Sequence, residues 1–308
     1  MLIVGAGPIG CELGQGFARL GTDVTIISSG SSFLPQEDAD CSIYLQEQMK
    51  QDGVQIRLDT NVTSFAQSDQ GEISATINHQ DQSSVEKFDI VMLGKGRVPN
   101  VENLGLAEAG IKFDNTGVLV NNNLQTSNPD VYAVGDCVPG PKFTHNSDVH
   151  ARYVIRNALF GEACDKNDII LPKCTYTDPE VASIGDNETS LKQKGIECDT
   201  YTKFFDRLDR ATCESKRGIY KVHCRKGTDE ILGATLVGGP AGDMLSQMTQ
   251  AMTHKLGLQK LGQLIYPYPT FSESFGHMSN YGYMPKYKLG PAGEGALKPG
   301  LKQYYHNN

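Results

Sequence analysis

The order of apolar and polar positions divides this chain into three stretches. Leu2-Ile3-Val4 is a short apolar run, the pattern of a buried strand. Gly5-Ala6-Gly7-Pro8-Ile9-Gly10 follows, and Leu13, Phe17 and Leu20 then recur at helical spacing up to Gly21. Strand, tight turn and helix are predicted. Val24-Thr25-Ile26-Ile27 predicts a second strand. Asp38 or Asp40 is placed to cap a helix with a stripe of Cys41, Leu45 and Met49 and an end at Gly53. Residues 54–58 alternate like a strand, and 62–65 with 73–77 predict an antiparallel excursion around Asp69-Gln70-Gly71. Residues 88–93 read as one buried strand.

In the middle stretch, 117–120 predicts a strand, and a second short strand runs into Gly135-Asp136. Residues 148–159 predict a helix closed by Gly161. After Pro172 the texture changes. Residues 175–185 are strand-like, Leu191 to Gly195 closes a short helix, and 200–205, 218–224 and 231–237 predict strands. Residues 241–256 are helical, with Met244, Met248, Ala251 and Met252 on one side, a stripe suited to core or interface packing. Residues 284–308, rich in Gly, Pro, Lys and Tyr, predict a mobile tail.

Composition adds exclusions. The 308 residues are 39% hydrophobic and 21% charged, ordinary for a globular chain of about two domains. A net charge of −8 argues against a nucleic-acid surface. No apolar run approaches the ~18 residues of a membrane span. Eight cysteines stand at 11, 41, 137, 164, 174, 198, 213 and 224, with no C-x-x-C, no C-x-x-x-x-C and no zinc-finger spacing. Free thiols in a reducing compartment, and no metal site, are expected. Met1 is followed at once by a core strand with no signal or transit segment, so no address is read.

The chemistry begins at G-x-G-x-x-G. Gly5 allows the turn, Gly7 lets a pyrophosphate approach the backbone, and Gly10 lets helix and strand pack closely. Phosphates then meet the free N–H groups and positive dipole end of the helix. An acidic residue about 20 positions on usually binds the ribose 2′-hydroxyl. Ser28 stands there, and no Lys or Arg lies between Arg19 and Lys50 to hold a 2′-phosphate. Asp136, at the end of a short predicted strand, has two readings: acceptor for a sugar-alcohol hydroxyl, or cap and turn residue.

Taken together, these segments resemble the pyridine nucleotide-disulfide oxidoreductases, the two-dinucleotide flavoenzymes, and most closely their mercuric-reductase-like branch. The strings that carry the resemblance are GAGPIGCELG at 5–14, GRVPN at 96–100, TSNPDVYAVGD at 126–136 and PKFTH at 141–145. RNALFG at 156–161, YTDPEVASIG at 176–185, ILGATLVGGPAGDM at 231–244 and YPYPTFSE at 266–273 complete the set. It implies an α/β Rossmann-like NAD(P)-binding domain at 1–98, the rear part of an FAD-binding domain at 99–165, and an α+β dimerisation domain at 170–280. It implies FAD and NAD(P)H as cofactors, a homodimer, and a small-molecule or disulfide acceptor. Gly5, Gly7 and Gly10 match the NAD(P) glycines, Glu12 the glutamate near the nicotinamide, and Asp136 the aspartate on the FAD ribityl chain. Gly96 and Gly135 lie in two of the matching strings and join Ser28 as cofactor-binding positions.

Departures from the family matter equally. In the family's H-x-H-P-T-x-x-E motif, Tyr268 here replaces the catalytic histidine while Glu273, its orienting carboxylate, is kept. A phenol of pKa about 10 is a poor proton shuttle near neutral pH. The family's FAD G-x-G-x-x-G and redox C-x-x-x-x-C are missing from these residues. The expectation is a flavin disulfide reductase of which this chain is a fragment or truncated form without the cysteine pair. A natural short form, a nucleotide-binding and dimerising module without catalysis, is the alternative.

Overall fold

A computed structural model describes residues 1–80, 82–205 and 208–281; the predicted tail at 284–308 lies outside them. The described residues form two compact units, Met1–Gly94 with those from Pro172 onward, and Lys95–Leu171.

The first unit starts with β1 (Leu2–Val4), α1 (Pro8–Arg19), β2 (Thr25–Ile27), α2 (Ala39–Gln51) and β3 (Gln55–Arg57). An antiparallel meander follows, β4 (Thr60–Gln67), β5 (Ile73–His79) and β6 (Gln82–Phe88), and then β7 (Val91–Leu93). The parallel sheet has the order β3-β2-β1-β7. Strand alternation assigns its two faces. Ile3 and Ile26 meet Cys11, Cys41, Leu45 and Met49 of the helices, whereas Leu2, Val4 and Ile27 meet Ala75 and Ile77 of the meander.

Two expectations are corrected here. The stripe Leu13, Phe17 and Leu20 that predicts α1 faces outward, Leu20 being 83% exposed. The side turned to the sheet is Gly10, Cys11 and Gly14, because close helix–strand packing selects small residues; Gln15 is also buried, beside Asp178. Residues 88–93 are not one strand. Phe88 ends β6, β7 begins at Val91, and β7 is only partly buried. Strand β6 itself carries no apolar alternation, since as the meander's edge it is mostly exposed.

The second unit holds the short hairpin β8 (Phe113–Asp114) and β9 (Gly117–Val118), and the helix α3 (Thr144–Phe160), which ends at Gly161 with φ 66°. The strand expected before Asp136 is absent. A single bridge joins Gln125 to Tyr132, and Gly135–Cys137 is a 3₁₀ turn. Side chains divert the backbone: Thr126 Oγ1 donates to the Asn128 carbonyl (2.9 Å), and Asn128 Oδ1 accepts from Asp130 N–H (3.1 Å).

Returning to the first unit, β10 (Pro172–Thr175), β11 (Val181–Gly185), α4 (Glu188–Gln193), β12 (Cys198–Phe204), α5 (Asp209–Cys213), β13 (Ile219–Arg225) and β14 (Ile231–Val237) build an antiparallel sheet ordered β10-β11-β14-β13-β12. Helices α6 (Ala241–Thr253), α7 (Leu258–Leu261) and α8 (Glu273–Tyr281) complete it. The run at 175–185 is two strands, broken at Pro179, which has no N–H for a ladder. Met244 and Met248 are buried within the chain, at 3% and 0% exposure, so that stripe is core and not an outward interface.

A polar seam joins the parallel sheet's helices to this second sheet. Asp38 precedes α2 but does not cap it. Its Oδ2 accepts from His223 Nε2 (3.0 Å) and Thr235 Oγ1 (2.9 Å), and its Oδ1 from Glu188 N–H (3.0 Å). Both Asp38 and His223 side chains are fully buried. Asp40 accepts from its neighbour Cys41 N–H and from Lys221 Nζ. Beside it, the Gln15 side chain pairs both ways with the Asp178 backbone, at 2.7 and 2.8 Å.

Burial raises the Asp38 carboxyl's pKa, but its hydrogen bonds outweigh this and hold it below the ordinary 3.8. A depressed carboxyl pKa stabilises the fold above the unfolded value, and that stability fades as pH falls through the folded one. Asp38→Asn is therefore expected to cost about 3 kcal/mol at neutral pH, as for a broken buried pair. In urea unfolding the gap to the unsubstituted chain should narrow only below pH 3.8; a gap independent of pH would refute this assignment.

Candidate functional site

The turn between β1 and α1 owes its shape to two glycines. Gly5 has φ 123°, a conformation that a side chain resists. Gly10 lies so close to the preceding turn that a Cβ on it would stand 2.1 Å from the Gly5 carbonyl oxygen. Gly7 differs: a Cβ there would meet nothing within 4 Å, and its φ of −87° suits any residue. Its openness leaves room beside the start of α1, where Gly7 is the N-cap, Pro8 opens the helix and no side chain caps it. The first-turn N–H groups of a helix have no partner within it, so this end is suited to an anion.

The other predicted positions are placed as follows. Ser28 follows the C-terminal end of β2, its Oγ accepting from Gly30 N–H at 3.3 Å. Its own N–H donates to the Arg57 carbonyl (3.0 Å). Glu12 turns its Oε1 to Tyr176 N–H (2.8 Å), so in this structure it ties α1 to the segment after β10. In the second unit, Asp136 is exposed in its 3₁₀ turn. Gly135 has φ 72°, and its N–H donates to Nδ1 of buried His150 (3.2 Å). Burial pushes the His150 pKa down, which suits a neutral ring accepting at Nδ1. Lys142 Nζ donates to the Asp136 carbonyl (2.6 Å), and Gly96 is exposed with φ 107°.

Tyr268 and Glu273 have different hydrogen-bond partners. The Tyr268 phenol, 70% exposed, donates to Asp209 Oδ2, and that carboxylate raises its pKa. Glu273 Oε2 accepts from the Thr270 N–H (3.0 Å), bracing the entry to α8.

Sequence reasoning passes over Arg57, Lys221 and His223. Arg57 ends β3 beside Ser28, its guanidinium on Glu86 (2.7 Å). Lys221 and His223 are buried, at 4% and 0% exposure, in Ile219–Arg225. Two ionisable residues inside a strand otherwise apolar at its centre were the available signal.

All eight cysteines are free. Burial pushes the thiols of Cys11 and Cys41 up, and those of Cys174 and Cys224 to about 12, so these four are poor nucleophiles. No group of acidic, histidine and cysteine side chains among the described residues is placed to hold a metal ion, and none of their helices is long and apolar enough to cross a membrane. A polar cleft of about 420 Å³, lined by residues including Tyr44, Gln48, Asp178 and Lys216, contains none of the predicted site residues.

The comparisons with known proteins agree with this architecture. The family model described as pyridine nucleotide-disulphide oxidoreductase matches residues 1–151, and the dimerisation-domain model of the same family matches 171–279. The mitochondrial dihydrolipoyl dehydrogenases of Mus musculus and Homo sapiens are 32% and 33% identical over 284 residues, 89% of this chain and 55% of each enzyme. The chain thus spans about half the length of the curated relatives it matches. Among solved structures, the HOCl-induced flavoprotein disulfide reductase RclA from Escherichia coli superposes with a TM-score of 0.82 at 26% identity, covering 91% of this chain and 64% of that one. LpdA from Mycobacterium tuberculosis, at 24% identity and a TM-score of 0.82 over 92% and 61% of the two chains, shares the fold. The chain belongs to the pyridine nucleotide-disulfide oxidoreductases, whose members are FAD-dependent and use NAD(P)H.

Substitution of the two glycines is expected to separate fold from nucleotide binding. Gly10→Ala drives a methyl into backbone and is expected to melt far below the unsubstituted chain. Gly7→Ala is expected to keep the melting midpoint and to weaken NADPH about tenfold in a fluorescence titration. Full NADPH affinity in Gly7→Ala would mean that the dinucleotide lies elsewhere.

Proposed function

We propose that this chain binds NAD(P)H at the Gly5–Gly10 turn and supplies the nicotinamide side of an FAD-dependent disulfide or small-acceptor reductase. The observation that carries this reading is the open space beside Gly7 at an uncapped helix start. These residues fit a dinucleotide. Gly7 and the first turn of α1 would hold the pyrophosphate, and Ser28 the adenosine ribose. Asp136, with Gly135 and Gly96, would contribute one edge of a flavin site. When bound, NAD(P)H supplies the hydride that this family passes to its flavin. The chain's own part is to position the dinucleotide through backbone N–H groups and to keep a side chain away from its phosphates.

Domain roles follow the same reading: NAD(P) binding at 1–98, the rear of an FAD domain at 99–165, and dimerisation at 170–280. The exposed Leu264, Ile265 and Tyr268 are apolar surface available to a second copy in a homodimer.

The 308 residues alone are proposed not to reduce disulfides. In sequence no two cysteines stand closer than Cys164 and Cys174, so a C-x-x-x-x-C pair would have to come from outside this sequence. Tyr268 offers a phenol with a raised pKa where a proton shuttle is needed. The second reading, a nucleotide-binding and dimerising module, is favoured by the buried, high-pKa thiols.

Purified chain with FAD, NADPH and a disulfide dye separates the readings. Turnover no faster than free flavin is expected, for Tyr268→His as well, because such parts act as a unit. Sustained turnover above that control would overturn the proposal of an incomplete site. Nucleotide choice is expected to be loose with a mild lean to NADPH, since Ser28 removes the acid that repels a 2′-phosphate. A dissociation constant tenfold lower for NADH, about 1.4 kcal/mol, would contradict it.

A further inference from the structure

The segment from Ser28 to Asp38 has no helix or strand of its own. It joins the end of β2, where the adenosine ribose is proposed to bind, to the start of α2. Its geometry is therefore set by whatever holds it. The near end is held within the nucleotide module. Leu34 N–H donates to the Ala6 carbonyl in the glycine turn (3.2 Å), Phe33 and Leu34 are buried, and the Gly30 carbonyl accepts from Asp59 N–H (3.1 Å).

The far end is held from the antiparallel sheet domain. Asn187 Nδ2 donates to the Gln36 carbonyl (2.9 Å), and Lys173 lies 3.7 Å from Glu37. Asp38 takes its three hydrogen bonds from Glu188 N–H, His223 and Thr235. His223 is itself fixed, its Nδ1 lying 2.9 Å from Thr200 Oγ1 and its Nε2 on the carboxylate. An ionised carboxylate only accepts, so Nε2 carries the proton. Three successive residues of this loop thus have side-chain or backbone partners supplied by the antiparallel sheet domain, and one partner is a fully buried imidazole.

We infer that His223 is a positioning residue for dinucleotide binding: acting through Asp38, it fixes the 28–38 loop and so holds the adenosine side of the site. The inference rests on the proposed nucleotide site. Its consequence is selective. Releasing Asp38 frees Leu34 to shift against Ala6, which disturbs the adenosine and pyrophosphate end. The nicotinamide end, built from other residues, is left alone.

The test is a titration of the full chain with NADPH, ADP-ribose and reduced nicotinamide mononucleotide. His223→Phe keeps ring volume and removes the bond to Asp38. It is expected to weaken NADPH and ADP-ribose about tenfold, the size of one hydrogen bond to a charged group. The mononucleotide should be unaffected, whereas a general loss of structure would weaken all three. His223→Gln retains an N–H for Asp38 and should restore ADP-ribose affinity to about twofold of the original. Asn187→Asp is the second handle and decides alone if His223→Phe does not fold. It keeps the α4 cap, in which Asn187 Oδ1 accepts from Ser190 N–H, but loses the donor to Gln36. About threefold weaker ADP-ribose binding at an unchanged melting midpoint is expected. Unchanged ADP-ribose affinity in the folded variants overturns the inference while leaving the nucleotide site standing. Failure of the unsubstituted chain to bind NADPH or ADP-ribose overturns the nucleotide reading, and the inference with it.

Discussion

The approach of Gly10 to the Gly5 carbonyl is the constraint on which the rest depends. No side chain fits between them. Because they touch, α1 starts directly over the end of β1, and its uncapped N-terminus faces the space beside Gly7. The same contact sets the rotation of α1. With Gly10, Cys11 and Gly14 turned to the sheet, Glu12, Gln15 and Arg19 lie along the side that meets the antiparallel sheet domain. All three find partners within residues 176–178. One close backbone contact therefore aligns both an uncapped helix start and a domain seam.

That seam is polar where it is specific and apolar where it is strong. Val181, Ile219 and Val237 of the second sheet join Cys41, Leu45 and Met49 of α2 in a single core cluster. Their burial is non-directional and tolerates sliding. The Asp38–His223–Thr235 cluster tolerates none, since each partner left unpaired in a dry interior costs several times what the bond itself contributes. Gln15 plays the same part on α1, matching the N–H and C=O of Asp178 with its one amide group. Fixed register at the seam is what allows a residue on β13 to influence a loop following β2.

How much of this was legible follows from which signals are local. The glycine turn, the first helix and strand, the α2 stripe and the β12, β13 and β14 strands were readable because turn chemistry and alternation are written in neighbouring residues. The outward facing of Leu13, Phe17 and Leu20 was not, since periodicity gives a helix its stripe but not the direction in which a glycine-lined contact turns it. Edge strand β6 lacked the burial that produces alternation. The strand expected before Asp136 failed because Thr126 and Asn128 compete for the backbone with their own side chains. Of the glycine turn, the conformation of Gly5 and the close approach at Gly10 were legible. The partnership of Asp38 with His223 was not, being 185 positions apart in sequence.

The motif at 266–273 shows why a kept residue does not by itself mark kept chemistry. Glu273 stands three positions after Thr270 at the entrance to a helix and accepts its backbone N–H. A glutamate there is useful to the fold whatever stands at 268. Tyr268, meanwhile, has found its own carboxylate on α5, Asp209. An anionic partner favours a charged histidine but disfavours an ionised tyrosine, so the Asp209 contact moves the phenol further from the pH at which it could exchange a proton. In this structure the first hydrogen bond of each goes elsewhere, Glu273 to a helix entry and Tyr268 to Asp209. The place of the carboxylate is thereby tied to the backbone it holds.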